Sequence, residues 1–552
     1  MQLRHIVAIR TFLRVNFSTR KTLIQLALLI VALSAVAHLT YRAVGAQATG
    51  ATVGPGLALA GNDAPKSNAS SSKAGSILFF HKYVSDSARP DKVNTLLTLT
   101  NTNPTDGITV RLIAVHDCIY QDKFINLAAN QSRTLLASKE FPDTIGYIMA
   151  VAVTPTGAPT QFNWIIGSAT VRDWQSFEGS YNAFAVAKRK AGAVTGDGQT
   201  FDLNFDGKQF DQLPQVVASD NLQSLTADLT LYSPLPNLTD ETGNTFPLLN
   251  STIYDAKGKA YSTEIAGYVC GLYSAASDIW TDQPLNTILK SGPTWATFKA
   301  TDKYTERKPL PLPTLGVSFS PMSGKPQSGA ITLQVLDWLE QFKISVRAVT
   351  PNIPAAPESA SQDQVDAEGG ATGMSESKAG SILFYPRFVA GNRPANTFIN
   401  LTNTHPAQRA RVRVMFSSVA PVPQVDEKIL TLEPLQAITL KASDITSGQR
   451  GWVMAMAINS GAQAIQFNYL IGSAYVTESS GVVTSFNALA VGKNSTGAVA
   501  RDVDDIKTAT LNFNDVDFDR LPATWALASV TNQNDYNSYL SYNRFSTSCS
   551  AA

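Results

Sequence analysis

The amino-acid sequence predicts an all-β protein made of tandem antiparallel β-sandwich (Ig-like) modules, duplicated, after an N-terminal signal or anchor segment. Three observations predict this class. The chain repeats itself at a distance of about 305 residues, its hydrophobic pattern has a period of two, and turn residues recur every 8 to 15 residues. Short, regularly spaced strands without a long helical pattern are typical of antiparallel sandwiches.

The repeat is far longer than a solenoid unit, so it indicates a duplicated domain or pair of domains. Residues kept in both copies are expected to be those that the fold needs. Nearly all of them are apolar, Gly, Asn or Pro, and no catalytic set is kept. The clearest matches are Ser72-Lys-Ala-Gly-Ser-Ile-Leu-Phe-Phe80 with Ser377-Lys-Ala-Gly-Ser-Ile-Leu-Phe-Tyr385, Leu99-Thr-Asn-Thr-Asn-Pro104 with Leu401-Thr-Asn-Thr-His-Pro406, and Gln161-Phe-Asn-Trp-Ile-Ile-Gly-Ser-Ala169 with Gln466-Phe-Asn-Tyr-Leu-Ile-Gly-Ser-Ala474.

The first copy opens with a series of short apolar strands. Residues 76–80 and 93–100 are the first two, and the second ends at Asn101-Thr-Asn-Pro104 because Asn and Pro favour turn conformations. Residues 109–115 form a third strand. Residues 146–153 are apolar on both faces, as expected of a central strand that is covered on both sides.

A second unit is predicted to start near Ser180 and to end near residue 346. The second copy repeats only its beginning, because Leu203-Asn-Phe205 returns as Leu511-Asn-Phe513 and little sequence follows. We therefore expect a partial β unit at the C-terminus. Its unpaired backbone edges would be sites for strand pairing with another chain.

These patterns divide the chain into seven predicted parts. They are a signal peptide or membrane anchor (1–48), a flexible tether (49–71), sandwich 1a (72–178), sandwich 1b (179–350), an acidic disordered linker (351–376), sandwich 2a (377–483) and the partial unit (484–552).

The N-terminal segment carries a one-sided charge. Five basic residues and no acid precede an apolar run over residues 23–39. That order predicts export with the basic end in the cytoplasm. The run is short for a membrane span, so both cleavage, at Ala35-Val-Ala37 or Ala46-Gln-Ala48, and inner-membrane anchoring stay open. The product is expected to be periplasmic, extracellular or at the cell surface.

Composition narrows the class of partner. The net charge is +1 and only 16% of the residues are charged, so no overall field favours nucleic acid. The linker region 351–376 holds five acids, three prolines and no Lys or Arg, a composition that favours an extended segment. A glycan or an envelope protein is the expected partner.

At its repeated motifs the chain resembles a group of exported bacterial proteins with tandem β-rich modules. The shared pattern is the Lys-Ala-Gly-Ser opening followed by Leu-Phe-Phe, the Leu-Thr-Asn-Thr-Asn-Pro turn and the Phe-Asn-Tyr-Leu-Ile-Gly strand. The resemblance covers about residues 72–350 and 377–530. It implies export and a β-rich fold, and it brings no known active site.

Acid-rich turns are the strongest polar feature of the sequence. Asp206 in the first copy and Asp515, Asp517 and Asp519 in the second could offer oxygen ligands to Ca²⁺. The spacing fits no EF-hand loop, so a solvated turn is the competing interpretation. Apart from this calcium site, no cofactor is expected.

Three cysteines allow one disulfide and one remaining thiol in an oxidising compartment. A bridge between Cys118 and Cys270 is the candidate pairing. Cys118 aligns near Ala420 of the second copy and Cys270 lies in a part that this copy lacks. A disulfide would therefore be an addition to the fold and not its framework.

No enzyme signature emerges from the sequence. The few histidines are not shared between the copies, and no nucleophile elbow, P-loop or dinucleotide motif is present. We therefore expect a non-enzymatic cell-envelope or surface protein that uses its β-sandwiches for binding, adhesion or structural roles. The alternative is an extracellular carbohydrate-active enzyme or its carbohydrate-binding accessory module, with its acids on the loops of one sandwich.

Overall fold

The structure is a computed structural model of the 552-residue chain. It describes residues 67–173, 178–220, 228–239, 247–265, 273–274, 285–290, 292–302, 310–321, 328–354, 374–391, 395–418, 424–479, 483–499, 510–521, 532–533 and 536–537. The predicted signal or anchor segment, 1–48, lies outside the described residues. In the part that is described, no helix is long and apolar enough to cross a membrane.

The all-β prediction is confirmed, since the described helices are only single turns, α1 (Ala137–Glu140), α2 (Leu285–Leu289) and a 3₁₀ turn (Ala442–Asp444). The first sandwich has a five-stranded sheet in the order β4-β3-β6-β1-β9 and a four-stranded sheet in the order β5-β2-β7-β8. Its strands are β1 (Ile77–Val84), β2 (Asn94–Asn101), β3 (Ile108–His116), β4 (Ile119–Leu127), β5 (Ser132–Leu136), β6 (Ile145–Val153), β7 (Ile165–Arg172), β8 (Glu178–Asn182) and β9 (Phe184–Val186).

The second sandwich repeats this strand order. Its sheets run β26-β25-β28-β23-β31 and β27-β24-β29-β30, and each strand pair is antiparallel as in the first. The strands are β23 (Ile382–Val389), β24 (Asn396–Asn403), β25 (Ala410–Ser418), β26 (Gln424–Leu432), β27 (Ala437–Lys441), β28 (Arg450–Ala457), β29 (Leu470–Thr477), β30 (Val483–Asn487) and β31 (Leu489–Val491).

Both first strands contain a bulge at the same position. The register of β1 shifts between Phe80 and Tyr83, and that of β23 shifts between Tyr385 and Phe388. Pro386 lies inside the second bulge, where a residue without a backbone N–H costs no ladder hydrogen bond. The bulge therefore explains why a proline is tolerated in an otherwise central strand.

Between the sandwiches lies a middle module, residues 200–347, with three sheets: β10-β22-β13, β15-β14-β17-β11-β21 with β18 on β17, and β16-β12-β19-β20. Its strands are β10 (Thr200–Asn204), β11 (Pro214–Ser219), β12 (Asp228–Tyr232), β13 (Asn237–Leu238), β14 (Pro247–Tyr254), β15 (Ala260–Ile265), β16 (Tyr273–Ser274), β17 (Trp295–Asp302), β18 (Pro311–Leu312), β19 (Leu315–Pro321), β20 (Ser328–Thr332), β21 (Gln334–Trp338) and β22 (Lys343–Arg347). A short hairpin, β32 (Asn532–Gln533) and β33 (Tyr536–Asn537), follows near the C-terminus.

Two predicted boundaries fall inside the sandwiches and need correction. Strands β8 and β9 pair with β7 and β1, so the first sandwich continues past residue 178. Strands β30 and β31 pair with β29 and β23, so the second continues past residue 483. The physical reason is that β9 and β31 pair with β1 and β23, which lie about 100 residues earlier, a pairing that local pattern does not reveal.

The described ends of the two predicted linkers belong to the packed structure. Ser67 and Ser70 are buried, and so are Met374 and Ser375. At the start of the second linker, the Pro354 carbonyl accepts a hydrogen bond from Asn126 Nδ2 at 2.5 Å. Residues 355–373, the middle of the acidic linker, lie outside the described residues.

Candidate functional site

The repeated Asn turn is built by side chains that satisfy backbone groups. Asn101 Nδ2 donates to the Asp106 carbonyl at 2.7 Å, and Asn103 Oδ1 accepts the N–H groups of Thr105 and Asp106 at 2.9 Å each. Such side-chain-to-backbone bonds define the turn. The motif is therefore accounted for by the fold.

His405 takes the place of Asn103 in the second copy. Its Nδ1 accepts the backbone N–H groups of Ala407 and Gln408 at 3.0 and 2.8 Å. Burial lowers the pKa of His405, which keeps Nδ1 free of a proton and able to accept. His405 is thus a turn residue that imitates an asparagine.

The Gln-Phe-Asn motif fixes the strand that closes each sandwich. Gln161 Nε2 and Asn163 Nδ2 donate to the Lys188 carbonyl at 2.9 and 3.0 Å. Gln466 and Asn468 hold the Lys493 carbonyl in the same way, at 2.8 and 3.0 Å. These amides satisfy a buried backbone acceptor, a requirement of any folded core.

The two copies meet at the segments that precede their first strands. Ser70 and Ser375 hold equivalent positions, and their Oγ atoms lie 2.7 Å apart. The Ser71 N–H donates to Ser377 Oγ at 3.1 Å, and the Glu376 N–H donates to Ser72 Oγ at 3.4 Å. Glu376 is the equivalent of Ser71, and Ser72 is the equivalent of Ser377. The two bonds are therefore the same contact with the copies exchanged, as in an isologous interface. We call these residues the serine junction.

Buried charges lie beside the serine junction. Lys378 Nζ is 3.2 Å from Asp519 Oδ2, and both side chains are almost fully buried. Lys73 and Asp211 hold the equivalent positions in the first copy. Burial, reinforced by the positive charge of Lys378, lowers the pKa of Lys73 to about 8. We call Lys73, Asp211, Lys378 and Asp519 the charged cluster.

Backbone and side-chain donors complete the charged cluster. Asp519 Oδ2 accepts the Gly492 N–H at 2.6 Å. Asp211 Oδ1 lies 2.5 Å from Arg189 Nε. Charged groups that are paired and hydrogen-bonded in this way can remain buried. The cluster therefore stabilises the meeting point of the copies, and burial removes Asp211, Lys378 and Asp519 from solvent.

Sequence reasoning missed the charged cluster, although a signal was present. Both copies keep the Lys of the Lys-Ala-Gly-Ser opening, and both keep Phe-Asp followed by Leu-Pro, at residues 210–214 and 518–522. A lysine and an aspartate kept together in both copies indicate a shared ion pair. Composition alone groups Asp519 with the neighbouring acids as a calcium candidate.

The structure separates the four calcium candidates. Asp206 Oδ1 accepts the N–H groups of Lys208 and Gln209, which makes it the first residue of an Asx turn. Asp515 Oδ1 accepts the Arg520 N–H at 2.7 Å, and Asp517 Oδ2 accepts from Asn512 Nδ2 at 3.1 Å. Over the described ranges, no group of three or more His, Cys, Asp or Glu side chains could hold a metal ion. The calcium site stays a prediction.

Cys118 lies at the tip of the hairpin between β3 and β4. Asp117 and Cys118 have φ angles of 45° and 66°, as a tight two-residue turn requires. Cys118 is disulfide-bonded, and its partner lies outside the described residues, as do Cys270 and Cys549. The pairing of Cys118 with Cys270 stays a prediction.

The outer face of the first five-stranded sheet is covered by the middle module. This face carries Ile113 on β3, Phe124 on β4 and Met149 on β6, all of them buried. They share one hydrophobic cluster with Ile344 and Val346 of β22. The first sandwich therefore buries this face within the chain.

The same face of the second sandwich is more exposed. By strand register, Met415, Ile429 and Met454 replace Ile113, Phe124 and Met149. Ile429 is 42% exposed, and its neighbour on the same face of β26, Val425, is 53% exposed. We call Val425, Ile429, Met415 and Met454, with the ion pair Arg413–Glu427, the open face.

Two further buried groups lie between elements of the fold. Asp220 follows β11, and burial raises the pKa of its carboxyl to about 6, while the Ser473 side chain hydrogen-bonds to it. Its Oδ2 is buried without a hydrogen-bond partner among the described atoms. His81 Nδ1 lies 3.2 Å from Tyr232 Oη, and burial lowers the pKa of His81 to about 3.

Comparisons with known proteins add little. No protein-family model matches the chain, and no curated protein matches it. One solved structure, from work on the host cell surface retention of a 1.5-MDa bacterial ice-binding adhesin, is 10% identical; the match covers 75% of this chain and 96% of that chain, with a TM-score of 0.09. A TM-score this low carries no argument about fold or function.

Proposed function

We propose that this chain is an exported, non-enzymatic cell-envelope or surface protein that uses its β-sandwiches for binding, adhesion or structural roles. The observation that carries the proposal is the contrast between shared and unshared features. The polar residues that both copies keep satisfy turns, strand ends and the junction between the copies. The open face of the second sandwich, in contrast, exposes Val425 and Ile429 to solvent.

The charged cluster supports a structural role rather than catalysis. Lys378 and Asp519 are buried, hydrogen-bonded and paired, so a substrate has no access to them. Perturbed pKa values mark functional sites only when the groups also face a cleft. Here the perturbed groups hold elements of the scaffold together.

A glycan array combined with a hydrolysis assay tests the proposal. Binding to glycans or envelope fractions without turnover is the expected result. Turnover that is abolished by a single Asp or Glu substitution would overturn it in favour of a carbohydrate-active enzyme. The same array identifies a glycan partner if there is one.

Export is part of the proposal and has its own test. The basic residues before the apolar run 23–39 are expected to hold the N-terminus in the cytoplasm. N-terminal sequencing of the mature protein separates a cleaved product, starting near residue 38 or 49, from an anchored one that keeps Met1. A chain that protease cannot reach from outside spheroplasts would contradict export.

A further inference from the structure

The first sandwich shows what kind of chain its outer face accepts. Strand β22 and the residues after it, 348–354, pack over that face. Ile344 and Val346 are buried there at alternate positions of β22, and Val349 and Ile353 pack against the same cluster. Residues 343–354 are thus one continuous part of the cover, beside Leu203, Phe205 and Phe210, and they direct apolar side chains at the sheet.

An arginine on the face holds the backbone of that stretch. Arg111 forms a two-pronged ion pair with Asp122, through Nε at 2.9 Å and Nη2 at 2.5 Å. Its remaining nitrogen, Nη1, donates to the Arg347 carbonyl at 2.6 Å. The contact recognises a main-chain carbonyl and therefore does not depend on the side chain that the bound strand carries.

The second sandwich keeps this arrangement with less cover. Leu511, Phe513 and Phe518 pack against the same hydrophobic cluster as Met415 and Met454, but the described residues include no equivalent of the stretch 343–354. Arg413 and Glu427 repeat the ion pair of Arg111 and Asp122, with Arg413 Nε donating to Glu427 at 2.7 Å. The Arg413 side chain is 33% exposed, against 2% for Arg111. Around it, Val425 and Ile429 are exposed and Met415 and Met454 are half-buried.

We propose that the open face of the second sandwich binds an extended β-strand segment of a partner protein, one with apolar residues at alternate positions as in residues 343–354. The proposal rests on the proposed function and names the partner class. Val425 and Ile429, beside the half-buried Met415 and Met454, take the apolar side chains, and Arg413 donates to a backbone carbonyl. Glu427 keeps the guanidinium in place.

A second copy of this chain is a poorer occupant. Its residues 343–354 are already bound to its own first sandwich, with Ile344 and Val346 buried and β22 paired along all of β10. Releasing them would expose that apolar surface and break the hydrogen-bonded ladder with β10. The free energy gained by rebinding the same residues elsewhere would only offset this loss, with no net gain. A strand from a different polypeptide carries no such cost.

Fluorescence anisotropy with the full chain tests this inference. The probe is a labelled synthetic peptide with the sequence of residues 341–354, which carries the pattern of the internal covering stretch. We expect saturable binding that Ile429→Asp or Val425→Asp weakens at least tenfold, while Lys428→Ala, on the opposite side of β26, leaves it unchanged. A peptide with Asp in place of Ile344 and Val346 is expected not to bind.

Several results would overturn the inference. The first is the absence of saturable binding. The second is equal affinity of the peptide for the wild type and for correctly folded Ile429→Asp and Val425→Asp. The third is a chain that light scattering shows to be self-associated and that the peptide dissociates, because this result would identify a second copy as the occupant. The readout is separate from hydrolysis. Failure of peptide binding is thus distinguishable from failure of the proposed function, which only substrate turnover would reveal.

Discussion

The hydroxyl oxygens of Ser70 and Ser375 lie 2.7 Å apart, although 305 residues separate them along the chain. Because 305 residues is also the offset of the internal repeat, equivalent residues of the two copies touch. Contacts on either side are exchanged pairs, as across a two-fold axis. The duplicated halves are therefore joined to each other as well as by the linker between them.

The charged cluster is expected to be sensitive to the loss of one carboxylate. Asp519→Ala leaves Lys378 buried without that negative charge, and breaking a buried pair in this way costs about 3–5 kcal/mol of unfolding free energy. Urea denaturation measures the change. The matched control is Asp444→Ala, which removes an exposed pair with Lys441 (side chains 42% and 64% exposed) and is expected to cost at most about 1 kcal/mol. Equal effects of the two substitutions would contradict a buried cluster.

His405→Asn is expected to remove part of the acid sensitivity of the fold. Burial lowers the pKa of His405 below its ordinary value of 6.5, so the unfolded chain takes up the proton first. The stability that neutral His405 contributes is present above pH 6.5 and is lost as the pH falls through and below that value. Asparagine at this turn, as at Asn103, has no proton to gain.

The measurement for His405 is the melting temperature between pH 7.5 and 5. The variant should match the wild type at pH 7.5 and lose less stability at pH 5. If His405→Asn melts in parallel with the wild type at every pH, the turn does not depend on a neutral histidine.

The contribution of Asp220 to stability is expected to depend on pH with the opposite sign to that of His405. Burial raises the pKa of its carboxyl from 3.8 to about 6, so the folded state holds the proton more tightly than the unfolded state does. Its contribution is fully present below pH 3.8 and is lost as the pH rises through about 6. Asp220→Asn should therefore raise the melting temperature at pH 7.5 and give little gain at pH 4. A variant less stable than the wild type at pH 7.5 would show that the charged carboxylate is needed.

The disulfide of Cys118 has a direct test. We expect peptide mapping without reduction to recover Cys118 joined to Cys270, with Cys549 open to alkylation. The expectation follows from the position of Cys118 on a covered hairpin tip next to the middle module, the part of the chain that contains Cys270. Recovery of Cys118 joined to Cys549 would show that the C-terminal region reaches the first sandwich instead.

Local pattern was sufficient to predict the strands but not all of their partners. The apolar strand at 146–153 and the turn after Asn101 are where the sequence indicates them, because period-two hydrophobicity and turn chemistry act over a few residues. Phe184 is different. It belongs to β9 beside β1, a pairing across about 100 residues that no local signal specifies.

The candidate sites divide in the same way. The acid turns were visible as composition, yet Asp519 points to Lys378, 141 residues away, and the other acids accept local hydrogen bonds. The open face was invisible to a reading of one copy, since Ile429 and Phe124 are both ordinary strand residues. The structure distinguishes them, because Phe124 is buried under the middle module whereas Ile429 is exposed.

Cleavage of the linker tests most directly the claim that the two copies form one body through the serine junction and the charged cluster. A specific protease site placed within residues 358–368 allows a single cut between the copies, and size-exclusion chromatography with light scattering then reports the mass in solution. The account predicts that the two fragments stay together at the mass of the intact chain, and that Asp519→Ala together with Ser375→Asp weakens their association. Fragments that separate at once in the otherwise unaltered protein would contradict it.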